Sequence, residues 1–445
     1  MNPFKKIKNI HFLSLMGTGG MSVLNFLFAA ILYRSLPTEE TGVWFFFQTA
    51  FITLDMFRQG FLSTAFVKFY AGSSLLRKRQ LIGSTWTILG LITLVAVLIN
   101  LIVLIFIGYI DDVSLRYLLR YFPYIFVVSL PMLIAMCIAQ AELKFDRLLY
   151  IEMLQTSILV VCLLVLIHFK QNNLKNVMYI NIGAYAFCSV VCLLKGWTRL
   201  RYFGYRNKAT ILELYNFGKF TVGTAISSNI FNVTNASLIN FLLGPAYLAI
   251  FNLGTRLMEV VEIPLRSFVA TAMPILSGQY NQQLKDDVIR TAQKYIGFIT
   301  LALIPVLIIT LFFSNTIIGI IGGEQYRYSI EGAQAANIFR LYVFFALFYP
   351  ADRFLAVTLD VIHRPQVNFR KIIIMFIINI VISAIGISIF KNIYVVVFAN
   401  TLPVIVAIII SYIDINKHYQ PFNLFTSYSL GFKETKQFLR KRLRG

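Results

Sequence analysis

The segment Leu91–Ile107 reads LITLVAVLINLIVLIFI, a run without a single charge and apolar on nearly every side of a helix. A helix with no polar face belongs in a bilayer or at the centre of a very large core. Comparable windows of about 20 residues, the length that crosses the hydrocarbon layer, fill most of the 445-residue chain. With 58% hydrophobic residues, 13% charged residues and a mean hydropathy of +0.74, the composition lies outside the soluble globular range. Strands of a membrane barrel would alternate polar and apolar residues, and these runs do not. The sequence therefore specifies an all-α polytopic membrane protein with no room for a separate catalytic domain.

Charge clusters and Pro, Gly and Asn punctuation divide the chain into twelve expected transmembrane helices. They lie near 11–33, 43–66, 81–107, 121–141, 148–167, 176–194, 220–243, 246–272, 295–321, 335–360, 372–390 and 392–413. Lys and Arg set the direction, because they accumulate in cytoplasmic loops. The N-terminal segment, the even-numbered loops and the tail hold 28 of them, and the opposite loops hold seven. This predicts that both termini are cytoplasmic. The excess of 40 Lys and Arg over 19 Asp and Glu, a net charge of +21, then points to a membrane surface and not to nucleic acid. The tail after Asn416 ends in KETKQFLRKRLRG, too short and too basic to cross. It is expected either to lie at the inner surface, attracting anionic lipid, or to act only as a topology signal. The expected organisation is an N-terminal six-helix lobe over 1–205, a second over 206–415, and a basic cytoplasmic tail over 416–445.

The chain carries no signature of covalent chemistry. Cys137, Cys162, Cys188 and Cys192 lie in apolar windows without metal-ligand spacing, and His11, His168, His363 and His418 are scattered. There is no P-loop and no HExxH, so no cofactor is expected, and ATP-driven transport would need another subunit.

The two halves look related. LPTEETGVW (36–44) and GPAYLAIFN (244–252) each place a proline turn before an aromatic-rich helix, and the same offset carries Arg58 onto Arg266. Ser14, Thr18, Ser22 and Asn25 repeat the spacing of Thr224, Ser228, Asn232 and Asn235, each set on one helical face. Such a stripe either packs helices together or lines a solvated cavity, and transporter repeats place their substrate route at the repeat interface.

With LPTEETGVW, FVKFYAGSSLLRKR after the second span, LGPAYLAIFNLGTRLMEVVEIPLRSFVATAMPILSG across the eighth and IIGIIGGEQYRYS after the ninth, the chain resembles the multidrug/oligosaccharidyl-lipid/polysaccharide (MOP) flippase superfamily. It is most similar to the polysaccharide transporter branch, the O-antigen and capsule repeat-unit flippases of the bacterial inner membrane, which serve lipopolysaccharide and capsule assembly. The resemblance implies two six-helix bundles in a V around a central cavity, as in the MOP/MATE-like fold. It also implies a substrate, undecaprenyl-diphosphate-linked oligosaccharide, moved outward by alternating access beside polysaccharide polymerase and glycosyltransferases. Drug/cation antiporters of the superfamily share the expected topology. A membrane glycosyltransferase or polymerase is the other alternative, although its sizeable catalytic outer loop is missing here.

Charges inside the spans cost roughly 2.5–3.5 kcal/mol each at mid-helix, and they concentrate in the second, eighth and tenth. Asp55 and Arg58 are three residues apart; Arg256, Glu259, Glu262 and Arg266 follow at helical-neighbour spacings; Arg353 and Asp360 share a face. In the bland alternative acid and base simply neutralise one another as packing pairs; against it, a guanidinium suits bidentate contact with a diphosphate. Arg256, Arg58, Arg266 and Arg353 are therefore candidate substrate contacts, with Asn25, Asn232 and Asn235 for sugar hydroxyls. Asp55 and Glu259 are candidates for coupling to H+ or Na+, and the membrane potential assists an outward-moving anion. Pro131, Pro264, Pro274, Pro305, Pro350 and Pro403 are expected to kink helices.

Overall fold

The structure, a computed structural model, describes residues 20–70 and 72–443, apart from the side chains at 61–64, 220–228, 259–261, 263–264, 267, 270 and 434–443. Among these residues it contains helices and no strand. The first half runs α1 (Gly20–Ser35), α2 (Thr38–Tyr70), α3 (Leu75–Ile105), α4 (Val113–Val128), α5 (Leu130–Ala141), α6 (Phe145–His168) and α7 (Leu174–Leu194). A 3-10 linker, Leu200–Tyr205, leads to α8 (Lys208–Leu242), α9 (Pro245–Arg256), α10 (Met258–Asn281), α11 (Lys285–Gly322) and the short α12 (Glu324–Arg327). Then come α13 (Ile330–Phe345), a 3-10 turn at Ala346–Phe348, α14 (Tyr349–Val361), α15 (Pro365–Phe390), α16 (Tyr394–His418) and α17 (Leu424–Leu443).

Helices occupy most of the described part of every expected span, with breaks at Ser129 and Leu257, but the spans are not alike. Seven pass a length-and-apolarity criterion for crossing a membrane: α3, α6, α7, α11, α13 with α14, α15 and α16; α4 and α5, bent by 50°, make an eighth. The helices that fall short, α1, α2, α8 and α9 with α10, hold Asn25, Asp55, Arg58, Asn232, Arg256, Glu262 and Arg266. They are the first two expected spans of each half. Of the prolines, Pro131 follows the bend into α5 and Pro350 follows the 3-10 turn into α14, whereas Pro305 and Pro403 lie inside continuous helices.

The chain packs as two compact units, Met1–Phe241 and Leu242–Gly445, so the linker and nearly all of α8 belong with the first. The sequence places the lobe boundary at 205/206. Side-chain contacts hold α8 back: Arg77 of α3 reaches Thr210 at 2.6 Å and pairs with Glu213, and Leu214 is buried among Phe66, Leu81 and Ile82. Elsewhere in this unit Trp44, Phe47, Phe122, Phe126, Leu163 and Met178 draw α2, α4, α6 and α7 together. Because lipid tails are as apolar as these side chains, such packing stabilises through close fit and dispersion, not through exclusion of water.

In the second unit α9 crosses α13 at Gly254, where a Cβ would come within 2.7 Å of the Ala335 carbonyl. The tail is an unanticipated element. It folds into α17, which crosses α11 with Gly431 against Gly297; a Cβ on either would enter the other helix's backbone. Gln293 of α11 donates to the Asn423 carbonyl at 3.0 Å, and Phe422 and Ser427 are buried. The basic residues beyond lie outside the described side chains.

Candidate functional site

Arg58 is fully buried, and its guanidinium is committed. Nε donates to Asp55 Oδ1 at 2.7 Å, Nη1 to the Phe126 carbonyl at 2.6 Å and Nη2 to Ser129 Oγ at 2.9 Å, while the group stacks 3.6 Å from the Phe126 ring centre. Asp55 accepts from Gln59 on its other oxygen, at 2.8 Å. The reason lies at the bend between α4 and α5. The 50° bend interrupts the helical hydrogen-bond ladder, so carbonyls near the break need other donors. Arg58 serves Phe126, and Ser189 of α7 serves Val128 at 2.5 Å. Arg58, expected as a substrate contact, here directs its donors to Asp55 and to the bend between α4 and α5. Asp55 is its counter-ion, which leaves the carboxylate poorly placed to exchange a coupling ion.

The asparagine stripe divides. Asn229 donates to Thr53 Oγ1 of α2 and accepts from Asn232, both at 2.9 Å, and Asn240 accepts from Ser114 at 2.7 Å while donating to Asp112. These contacts fasten α8 to α2 and α4. Asn235 is buried, whereas Asn25 on α1 and Asn232 on α8 are exposed. Ser14 and Thr18, and the side chains of Thr224 and Ser228, lie outside the described residues, as does the side chain of Glu259.

The second unit gathers charge from four helices. On α10, Arg266 pairs with Glu262 at 2.5 Å and keeps its side chain 77% exposed. On α14, Tyr349 lies within electrostatic reach of Glu262, Asp352 and Arg353, which sets the α10 charges beside those of α14. Asp352 is held at 2.9 Å by Lys371 of α15, which also contacts Ser411 of α16 at 3.4 Å. Lys371 lies just outside the expected span 372–390, yet its side chain is 4% exposed. The one available signal was an acid, Asp352, whose helix offered it no base except its neighbour Arg353. Arg353 is exposed and has no carboxylate partner among the described residues. Its expected face-mate Asp360 instead accepts from Asn368 at 2.7 Å. Arg256, half-buried, ends α9 where the chain breaks before α10, two residues past the Gly254 crossing. Arg353 is thus an exposed guanidinium whose neighbouring acid is held by another cation, an arrangement that receives phosphate oxygens, whereas Arg266, though exposed, is paired with Glu262. Among the described residues no group of His, Cys, Asp and Glu could hold a metal ion.

Outside the spans, Glu142 after α5 accepts from Tyr70 at 2.8 Å and Lys144 at 2.5 Å and pairs with Arg199. Burial pushes its carboxyl up, but Lys144, Tyr70 and Arg199 more than offset this and hold it below the ordinary range. The Tyr70 hydroxyl is pushed up to about 12 by burial and by Glu142.

Comparison with known proteins agrees with this architecture. A family model described as polysaccharide biosynthesis protein matches residues 7–279, and a second, MatE, matches 221–385. The lipid II flippase MurJ in an inward closed conformation superposes with a TM-score of 0.72 at 15% identity, over 97% of this chain and 92% of that one. An inward-facing multidrug resistance MATE family transporter of the MOP superfamily gives 0.69 at 13% identity, over 89% and 95%. No curated protein matches the chain in sequence.

Proposed function

The chain belongs to the polysaccharide biosynthesis protein family, in the MOP superfamily of flippases and transporters, and from that premise we propose that it flips undecaprenyl-diphosphate-linked oligosaccharide. The repeat unit would pass from the cytoplasmic to the outer leaflet of the bacterial inner membrane by alternating access, supplying O-antigen or capsule polymerisation. The observation that carries this reading is Arg353, exposed on α14 while Lys371 neutralises its neighbour Asp352. A lone acid beside Arg353 would repel a diphosphate; a paired one does not. In the second unit Arg353 and Arg266 receive the phosphates, and Arg256 ends α9 at the break before α10. The prenyl chain stays in lipid and no covalent bond changes. An inside-negative potential assists outward movement of the anion by roughly 2.3 kcal/mol per charge per 100 mV. With Asp55 committed to Arg58, Glu259 is the remaining candidate for H+ or Na+ coupling.

The MatE match over 221–385 favours a second reading, a drug/cation antiporter. Proteoliposomes carrying a fluorescent polyprenyl-diphosphate oligosaccharide or a cationic dye separate the two. The flippase reading expects lipid translocation and no dye export. Arg353→Ala should slow translocation by about tenfold to a hundredfold, the worth of one charge-assisted contact, while Arg353→Lys keeps part of it. Wild-type flipping by Arg353→Ala, or dye transport without lipid transport, would refute it.

A further inference from the structure

The linker between α7 and α8 is a built surface. Gly83 of α3 admits it so closely that a Cβ would lie 2.9 Å from the Arg206 amide nitrogen; Trp86 Nε1 donates to the Thr198 carbonyl at 3.1 Å, and the Asn207 amide donates to Ser84 Oγ at 3.4 Å. On this fixed backbone cations stack on aromatic rings. Arg79 lies 5.3 and 5.5 Å from the Tyr202 and Tyr205 rings, Arg201 lies 5.0 Å from Tyr202, and Arg206 lies 4.8 Å from Phe203. Stacking of this kind orients a guanidinium without neutralising it. Among the described residues none of Arg79, Arg201, Arg206 and Lys208 has a carboxylate partner; the nearby Glu213 is taken by Arg77.

Directly beyond Lys208 the surface turns apolar. Ile88, Leu91 and Ile92 of α3 and Ile211, Leu212 and Tyr215 of α8 line a groove of about 470 Å³, with Lys208 in its wall. Leu91, Leu212 and Tyr215 are each more than half exposed, so the groove opens outward. Juxtaposed cations and apolar groove complement one class of molecule, an anionic headgroup joined to a hydrocarbon chain.

We propose that the Arg206–Lys208 end of the linker and the α3–α8 groove form a binding site for one anionic phospholipid. Its phosphate lies against Arg206 and Lys208, with Arg79 and Arg201 close by, and one acyl chain lies along Leu91 and Leu212. The site is built from first-unit residues alone.

Native mass spectrometry of the purified full-length chain, titrated with phosphatidylglycerol or phosphatidylethanolamine, tests this. Phosphatidylglycerol should be retained about tenfold more tightly than phosphatidylethanolamine, and Arg206→Gln with Lys208→Gln should abolish that preference, in keeping with the attraction of interfacial cations for anionic lipid. Leu212→Trp, a surface change that fills the groove, should weaken both lipids. Arg440→Gln with Arg442→Gln, in the tail, should leave the preference unchanged. Equal retention of both lipids, a preference that survives the linker variant or is lost only in the tail variant, or full displacement by glycerol phosphate or by a polyprenyl diphosphate would overturn the proposal.

Discussion

Arg58 satisfies a bent helix and a buried carboxylate at once, so its removal strands both partners. Arg58→Ala should cost about 3–5 kcal/mol, the usual penalty for leaving a buried charge uncompensated, and appear as loss of folded protein in thermal unfolding monitored by size exclusion. Asp55→Asn in the same chain should recover part of the loss, because the orphaned charge is gone; no recovery would show that the Asp55 pairing is not what matters. Glu142 offers a pH test. Its carboxyl is held below the ordinary value near 4.5, so its stabilisation is complete above that value and fades as pH falls through the lower folded value. The melting-temperature gap between wild type and Glu142→Gln should therefore be flat above about pH 5 and narrow below 4.5. At this scale the sequence was a partial guide. The spacing of Asp55 and Arg58 foretold their pairing, but no spacing could reveal that the remaining guanidinium donors meet Phe126 and Ser129, 68 and 71 residues away. Lys371 was hidden for the same reason: its partner stands on another helix, 19 residues earlier.

Hydrophobic runs made the helices legible because each satisfies its backbone internally and needs only an apolar exterior. What the runs do not encode is the crossing of one helix over another. The tail illustrates this: its composition reads as a basic surface segment, yet α17 begins by packing Gly431 into Gly297 of α11. Two glycines bring backbones together where any side chain would hold them apart. Gly297→Leu should push α17 off α11 while leaving the apolar character of α11 intact. The expected readout is faster protease cleavage within Leu424–Leu443 than in wild type, at unchanged membrane insertion. Equal cleavage rates would mean that the crossing does not anchor the tail.

For the whole molecule the open quantity is the number of crossings, and the four segments that miss the crossing criterion decide it: α1, apolar but short over its described residues, and the more polar α2, α8 and α9 with α10. Length favours passage: α2 has 33 residues and α8 has 35, and at about 1.5 Å per residue both exceed a hydrocarbon layer of roughly 30 Å. Composition alone makes them fall short, and part of that polarity is already spent inside the protein, in the Arg58–Asp55 network and the Asn229–Thr53 contact. The turns at either end of α8 then lie on opposite sides, as do the ends of α2. In intact cells, a membrane-impermeant thiol reagent should label Glu39→Cys and Ala246→Cys, in the first turns of α2 and α9, as readily as Tyr328→Cys after α12. Gly204→Cys, in the linker, should be labelled only after the membrane is opened. Positions 39 and 246 carry the weight: if α1 and α2, or α8 and α9 with α10, merely entered and left by one face, those two would behave like 204, while the alternation at 204 and 328 would survive. Protection of either would remove a pair of crossings and, with it, the twelve-helix arrangement of related halves.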